Sequence, residues 1–146
     1  MNAVGDGCFV DTNVLLYSFD PADPLKHELA KRWVAELWSS SRGRLSWQVL
    51  NEFYANAARK LKMPGAAARD AVKTFALWQP LGFDMGNMQR AWYWMDRAGV
   101  SYWDGLILGS AEELGCRWLL SEDFQAGRKY GSVQVVNPFE TDPAGF

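Results

Sequence analysis

Apolar residues along this chain fall into short continuous runs and longer stretches at helical spacing. Cys8-Phe9-Val10 is too short for a helix, and with glycines before it and Asp11 after it, it reads as a buried strand. Thr12 or Asn13 can cap the helical turn Val14-Leu15-Leu16-Tyr17. Asp23 is a natural N-cap with Pro24 at the first helical position, and Leu29, Trp33 and Leu37 give Leu25 to about Ser40 one apolar face. Arg44-Leu45-Ser46 reads as a second strand. Ser46 caps a helix to about Leu61 that faces inward with Val49, Leu50, Phe53, Tyr54 and Ala57. Pro64 opens another helix with the stripe Ala67, Ala71, Phe75, Trp78, and Pro80-Leu81-Gly82 reads as an edge strand, where proline is tolerated. Asp84 caps a helix carrying Met88, Trp92 and Met95, closed by Gly99. Ser101 caps the next, with Ile107, Leu108, Ala111 and Leu114 inward and Gly115 closing it. Arg117-Trp118-Leu119-Leu120 and Gln134-Val135-Val136 are the last strands. Short strands alternating with amphipathic helices predict an α/β fold with a parallel sheet. Ligands in such sheets sit outside the carboxyl ends of the strands.

Composition narrows this further. The chain has 146 residues, 49% of them hydrophobic and 22% charged, which is the balance of a globular protein. That length fits one domain over residues 1–146, with a core from about 8 to 139 and a tail at 140–146 that reads as loose. No apolar run approaches the ~18 residues of a membrane span, and the N-terminus lacks the basic and apolar regions of a signal peptide. Two separated cysteines and one histidine make neither a disulfide scaffold nor a zinc site, which points to a reducing cytoplasm. Cys8 and Cys116 read as buried small hydrophobes, and His27 as a solvated helix residue. The net charge of −2 argues at first sight against nucleic acid.

The chemistry lies in the carboxylates near the strand ends. Asp11 ends the first strand, and Asp123 follows the Trp118–Leu120 run by three residues. Glu52 and Asp104 sit in the early turns of helices that begin beside the same edge. Each has a plain reading. Asp104 completes a capping box with Ser101, Glu52 is a solvated helix residue, and Asp11 and Asp123 cap turns. Convergence would change that, because carboxylates crowded into one cleft repel unless a cation holds them. A hard divalent ion, Mg²⁺ or Mn²⁺, prefers a few carboxylates plus waters and stabilises in-line phosphoryl displacement. The chain has no cysteine nucleophile motif, Gly-rich phosphate loop or second histidine, which favours metal-assisted phosphodiester hydrolysis.

Phe9-Val10-Asp11-Thr12-Asn13-Val14-Leu15 resembles the opening motif of PIN-domain nucleases. Asn51-Glu52-Phe53, Asp104-Gly105-Leu106-Ile107-Leu108, Ser121-Glu122-Asp123 and Val136-Asn137-Pro138-Phe139 resemble their later segments, so the likeness runs from about Cys8 to Phe139. The closing segments resemble most the VapC-type toxins of toxin–antitoxin modules. The resemblance implies a three-layer fold with a central parallel sheet in the order 3-2-1-4-5. It implies one or two Mg²⁺ or Mn²⁺ ions on Asp11, Glu52, Asp104 and Asp123, supported by Asn13 and Ser121, with Glu122 at the rim. It further implies endoribonuclease activity, transfer RNA or ribosomal RNA as substrate, a homodimer and a cognate antitoxin. The early helices, Pro24 to Ser40 and Pro64 to Trp78, are the expected apolar faces for such partners. One departure is glycine after Asp104, where the family commonly has alanine. It points to close packing beneath the site. Bulky residues at Trp92-Tyr93-Trp94 and Tyr102-Trp103 bear on access.

RNA needs positive charge outside an acidic pocket. Arg42, Arg44, Arg128 and Lys129 are favoured, because they flank segments expected near the strand ends. Arg59, Lys60 and Lys62 are further candidates. Of eight tryptophans, Trp33, Trp92 and Trp118 read as core, while Trp47 and Trp103 stand beside Glu52 and Asp104 where they either stack on a base or pack. A receiver-like signalling domain also carries strand-end acids, but no lysine follows Leu119-Leu120 before Ser121 as that reading requires. A PIN nuclease of RNA maturation and a non-catalytic PIN-like binding protein are the other readings. Setting four of the 17 acids aside as a metal site leaves 13 against 15 bases, which removes the charge objection.

Overall fold

The computed structural model describes residues 6–146. The elements in chain order are β1 (Cys8–Val10), α1 (Thr12–Tyr17), α2 (Pro24–Ser40), β2 (Gly43–Arg44), α3 (Trp47–Arg59), α4 (Gly65–Phe75), α5 (Met85–Ala98), α6 (Tyr102–Glu113), β3 (Trp118–Leu120), β4 (Lys129–Tyr130) and β5 (Val133–Val136). Single 3-10 turns follow at Ala76–Trp78 and Pro143–Gly145. No described helix is long and apolar enough to cross a membrane.

The five strands form one sheet in the order β2-β1-β3-β5-β4. β1 pairs in parallel with β2 and β3, and β3 in parallel with β5. This departs from the expected 3-2-1-4-5 at both edges. The Pro80-Leu81-Gly82 segment is not a strand, and only a parallel bridge between Ser46 and Leu81 keeps it at that edge. Proline at 80 has no N–H to extend the ladder. At the far edge β4 pairs antiparallel with β5 across a tight turn, with Lys129 opposite Gln134. A two-residue strand gives too little alternation to be read from sequence.

Helix caps follow local chemistry. Asp23, Ser46, Asp84 and Ser101 each accept a hydrogen bond from a first-turn backbone N–H. The first helix is capped by Asp11 itself, whose side chain accepts from Thr12 N, rather than by Thr12 or Asn13. The core is built on Phe9, Leu119 and Leu120 from the sheet and Trp33, Phe53 and Leu108 from the helices.

Several packing details differ from the sequence reading, among them Tyr54 and Ala67, which are exposed rather than on the inner faces of α3 and α4. On α5 the buried face is Asn87, Ala91 and Trp94, while Trp92 is 45% exposed rather than core. The tail is docked, not loose. Phe146 packs edge-on against Trp33 and Trp118 with ring centroids 5.2 and 4.9 Å away, and Asp142 pairs with Arg32 at 3.0 Å. Trp33 is fully buried, whereas Trp118 is only partly so. His27 is not simply solvated, because its Nδ1 lies 2.8 Å from the Tyr17 carbonyl oxygen.

The α5–α6 contact positions Asp104. Helix α6 runs through the interior, burying Gly105 to Ala111. A Cβ on Gly105 would stand 2.7 Å from the Ala91 carbonyl oxygen, and one on Gly109 would stand 2.8 Å from Arg90 Cβ. Glycine after Asp104 therefore permits the two helices to approach backbone to backbone. Gly105→Ala gains about 1 kcal/mol of helix propensity but forces apart a backbone contact, an overpacking cost of about 1–3 kcal/mol. The expected outcome is a net loss of stability, read as a lower midpoint in chemical denaturation. A variant as stable as wild type would contradict this packing account.

Candidate active site

Asp11 and Ser121 each stand one residue beyond a strand and remain in the backbone ladder. Asp11 N donates to the Leu120 carbonyl at 3.0 Å and Ser121 N to the Val136 carbonyl at 3.1 Å. That register sets their side chains together at the carboxyl edge, where Ser121 Oγ donates to Asp11 Oδ2 at 2.7 Å. Ser121 Oγ also accepts from Asp123 N at 3.1 Å, which turns the chain after β3 back toward Asp11. Asn13, in the first turn of α1, donates from Nδ2 to Asp123 Oδ2 at 2.9 Å and lies 3.5 Å from Asp11 Oδ2.

Glu52 approaches from α3. Thr12 Oγ1 donates to its Oε2 at 2.9 Å, and Gln48, one turn earlier, donates to its Oε1 at 3.0 Å. Asp104 sits in the first turn of α6, where its backbone N–H donates to the Ser101 cap at 3.1 Å. Only the Ser101 half of the expected capping box forms, through the Asp104 backbone, and the Asp104 carboxylate feels the charges of Asp123 and Glu52.

The electrostatics tie the four acids into one site. Burial pushes Asp11 up to about 7, the charges of Asp123 and Glu52 add to the rise, and hydrogen bonds from Ser121 and Thr12 oppose it. Asp104 is also raised, first by burial and then by Asp123 and Glu52. Asp123 and Glu52 therefore act on both other acids, and none of the charges that shift them is a cation.

Among the described residues, no three acids, histidines or cysteines stand close enough as they lie to wrap a metal ion. Individual oxygens are held by Thr12, Gln48, Asn13 and Ser121 instead. The donor set still fits a hard divalent cation. It is all oxygen, Asp11 and Asp104 are disfavoured as anions for want of a counter-charge, and Asn13 Oδ1 is buried with no hydrogen bond. Mg²⁺ and Mn²⁺ keep several waters, so a few carboxylates suffice without a closed cage.

A family model for the PIN domain matches residues 8–131. The chain belongs to the PIN-domain family. Its fold is similar to the crystal structure of VapC20 from Mycobacterium tuberculosis, described as a sarcin-ricin loop cleaving toxin. The two are 22% identical with a TM-score of 0.59, over 77% of this chain and 87% of that one, a likeness of fold. Comparison with curated proteins found no match.

The other candidate residues divide around this PIN site. Arg42 and Arg44 do not reach it. Arg42 precedes β2, where Cys8 N bonds its carbonyl at 2.9 Å, and Arg44 closes β2 opposite Phe9 with its side chain turned toward Gly7 and Cys116, away from the acids. There they lie beside Cys8 and Cys116, whose thiols burial pushes up, that of Cys116 to about 12. Arg128 and Lys129 are exposed at the start of β4, the Arg128 guanidinium resting 4.6 Å from the Tyr130 ring centroid. Because β4 runs antiparallel to β5, the register sets Lys129 level with Gln134 and Trp118, at the amino ends of the strands and not beside the acids. Glu122 is at the rim, paired with Lys26 at 2.8 Å. Lys60 lines a 230 Å³ cleft that also contains Asn13 and Glu122, so it flanks the acids. Trp47 and Trp103, 43% and 62% exposed, line a cavity with Glu52.

Sequence reasoning missed Thr12 and Gln48, the two residues that orient Glu52. The Gln48 to Glu52 spacing of one helical turn was a usable signal, whereas the pairing of Thr12 with Glu52 was not local. The raised Asp11 makes a linkage prediction. Its folded value of about 7 exceeds the ordinary 3.8, so the unfolded chain releases its proton first. Stability from this group is fullest below about pH 4, falls as pH rises toward 7, and stays low above it. Metal-free Asp11→Asn should therefore melt a few degrees above wild type at pH 8 and not at pH 4, while Mn²⁺ should raise the wild-type melting point only. Equal melting at both pH values would contradict the burial of an uncompensated charge.

Proposed function

We propose that the protein is a metal-dependent endoribonuclease acting as the toxin of a toxin–antitoxin pair. The observation that carries this is the gathering of Asp11, Glu52, Asp104 and Asp123 at one sheet edge of a PIN domain, coupled in charge and without a cation among them. These four would hold one or two Mg²⁺ or Mn²⁺ ions, with Asn13 and Ser121 in support. A bound divalent ion supplies positive charge against the scissile phosphate and a more acidic water.

The chain's own residues prepare the site. Ser121 fixes Asp11 and the Asp123 backbone through one hydroxyl, so those two acids move together. Thr12 and Gln48 clamp both oxygens of Glu52, leaving it one orientation. Asn13 bridges toward Asp123 and Asp11 with its amide nitrogen, and its oxygen remains an unused acceptor whose lone pairs could meet a cation. No side-chain nucleophile is needed, because water attacks the phosphorus and the leaving oxygen departs from the RNA. Lys60, in the cleft with Asn13 and Glu122, would meet the phosphates. The similarity to VapC20 makes the sarcin-ricin loop one substrate to try, alongside transfer RNA, and makes an antitoxin and a second copy the expected protein partners.

The test is cleavage of an RNA panel in Mg²⁺ or Mn²⁺. Wild type should cut and chelation should stop it. Asp11→Asn should abolish cutting with the fold intact, while Asn13→Ala should lower it roughly 10- to 100-fold. Growth arrest on expression, lost in Asp11→Asn, is the expected cellular result. Cleavage undiminished in Asp11→Asn would overturn the mechanism.

A further inference from the structure

Beside the acids, α3, α6 and the segment before α5 enclose a 360 Å³ cavity lined by Trp47, Gln48, Glu52, Phe83 and Trp103. Glu52 belongs to both this cavity and the acid cluster, so whatever fills one adjoins the other. The walls are aromatic and open, with Phe83 at 59% and Trp103 at 62% exposure. Trp103 is steadied by Tyr102, whose ring centroid lies 5.4 Å away at 64°. Gln48 donates to Glu52 and to the Trp103 carbonyl, and Asn51 donates to the Trp47 carbonyl at 2.8 Å. Both amide oxygens are left to accept from a ligand. A volume of this size falls within the ~300–1,000 Å³ of small-ligand pockets.

Trp47 and Asn51 also line a second cavity of 330 Å³ between α3 and α4, edged by Arg69 and Lys73. Neither cation has an ion-pair partner among the described residues. Arg69 is held over the groove by a 3.3 Å hydrogen bond to Tyr54 Oη. Glu52 thus joins the acids to the aromatic cavity, and Trp47 and Asn51 stand between that cavity and the two cations.

We propose that the cavity lined by Trp47, Phe83 and Trp103 takes one unpaired base of a single-stranded RNA, with the adjoining phosphates running along Arg69 and Lys73. Flat aromatic walls with amide acceptors are the chemistry of base recognition. Exposed cations without partners are that of a phosphate track. The order also separates charges usefully, because the phosphates held by Arg69 and Lys73 lie away from the acids. The inference rests on the nuclease reading only in placing the scissile bond next to Glu52.

The experiment measures binding and cleavage separately. Binding of a short, fluorescently labelled single-stranded RNA of mixed sequence is followed by anisotropy in chelator, and cleavage of the same RNA in Mn²⁺. Trp103→Ala, Trp47→Ala and Arg69→Ala with Lys73→Ala change exposed side chains, and unchanged melting confirms their fold. Each aromatic variant should bind about tenfold more weakly, with cleavage falling through KM rather than kcat. The double cation variant should flatten the salt dependence of binding. An RNA carrying an abasic residue should bind wild type more weakly and the Trp103→Ala variant no worse than intact RNA does. Unchanged binding in all variants, with wild type still cleaving, would overturn this inference and leave the nuclease reading standing. Trp103-dependent binding by a wild type that cleaves nothing would do the reverse. Conversion of a wild-type dimer to monomer by Trp47→Ala or Trp103→Ala, seen by sedimentation, would mean a second copy fills the groove and would also overturn it.

Discussion

Asp11 is a buried carboxylate with other carboxylates close enough to raise it further, and the fold around it is arranged to hold that unfavourable charge. Its backbone sits in the ladder beside Leu120, so the side chain cannot swing out to solvent without breaking the sheet edge. Ser121 and the Thr12 backbone offset part of the cost through hydrogen bonds to the charged form. Burial outweighs them, as the rise to about 7 shows. A site in this condition has affinity for a cation built into its electrostatics, because each added positive charge relieves a penalty already present.

Each other acid arrives through a different packing solution. Glu52 depends on the Ser46 cap, which starts α3 beside the sheet edge, and on Thr12 reaching across from α1. Asp104 depends on Gly105 and Gly109, which allow α6 to lie against α5 at backbone distance. Asp123 depends on Ser121, whose hydroxyl closes the turn after β3. Small residues, not large ones, therefore govern the geometry of the acids. The bulky residues stand one step outward, where Trp47 and Trp103 shape the approach.

Much of this was legible in the sequence because its signals are local. Asp23, Ser46, Asp84 and Ser101 act on their own first turns, so they marked helix starts without knowledge of the fold. The acids were legible because strand ends and helix starts meet at one edge of a parallel sheet. What was not legible is set by partners distant in sequence. Trp92, Tyr93 and Trp94 are consecutive, so composition alone cannot phase α5. Gly105 of α6 selects Ala91 for the inner face, and Trp94 packs against Tyr130 and Gly131 at the end of β4. Phe146 docks against Trp33 and Trp118, contacts no local pattern announces. Arg42 and Arg44 are a different case. The sequence favours them for flanking a strand end, but they flank the wrong one: Arg42 precedes β2, and Arg44, expected to open a strand at 44–46, closes a shorter one at Gly43–Arg44.

The distribution of charge follows from that same directionality. The carboxyl edge of the sheet collects acids, while Arg42 and Arg44 fall at the opposite end beside the buried thiols. A polyanion approaching the acid edge meets repulsion unless cations intervene, and those nearest lie beside the acids rather than among them: Lys60 in the cleft with Asn13 and Glu122, and Arg69 and Lys73 on α4. The net charge of −2 hides this arrangement, because two divalent ions on the acids would invert its sign. On the proposed function, metal occupancy and attraction for RNA would be one coupled property. The cations at the rim can hold a backbone, but the acid edge admits a phosphate only once its own charge has been compensated.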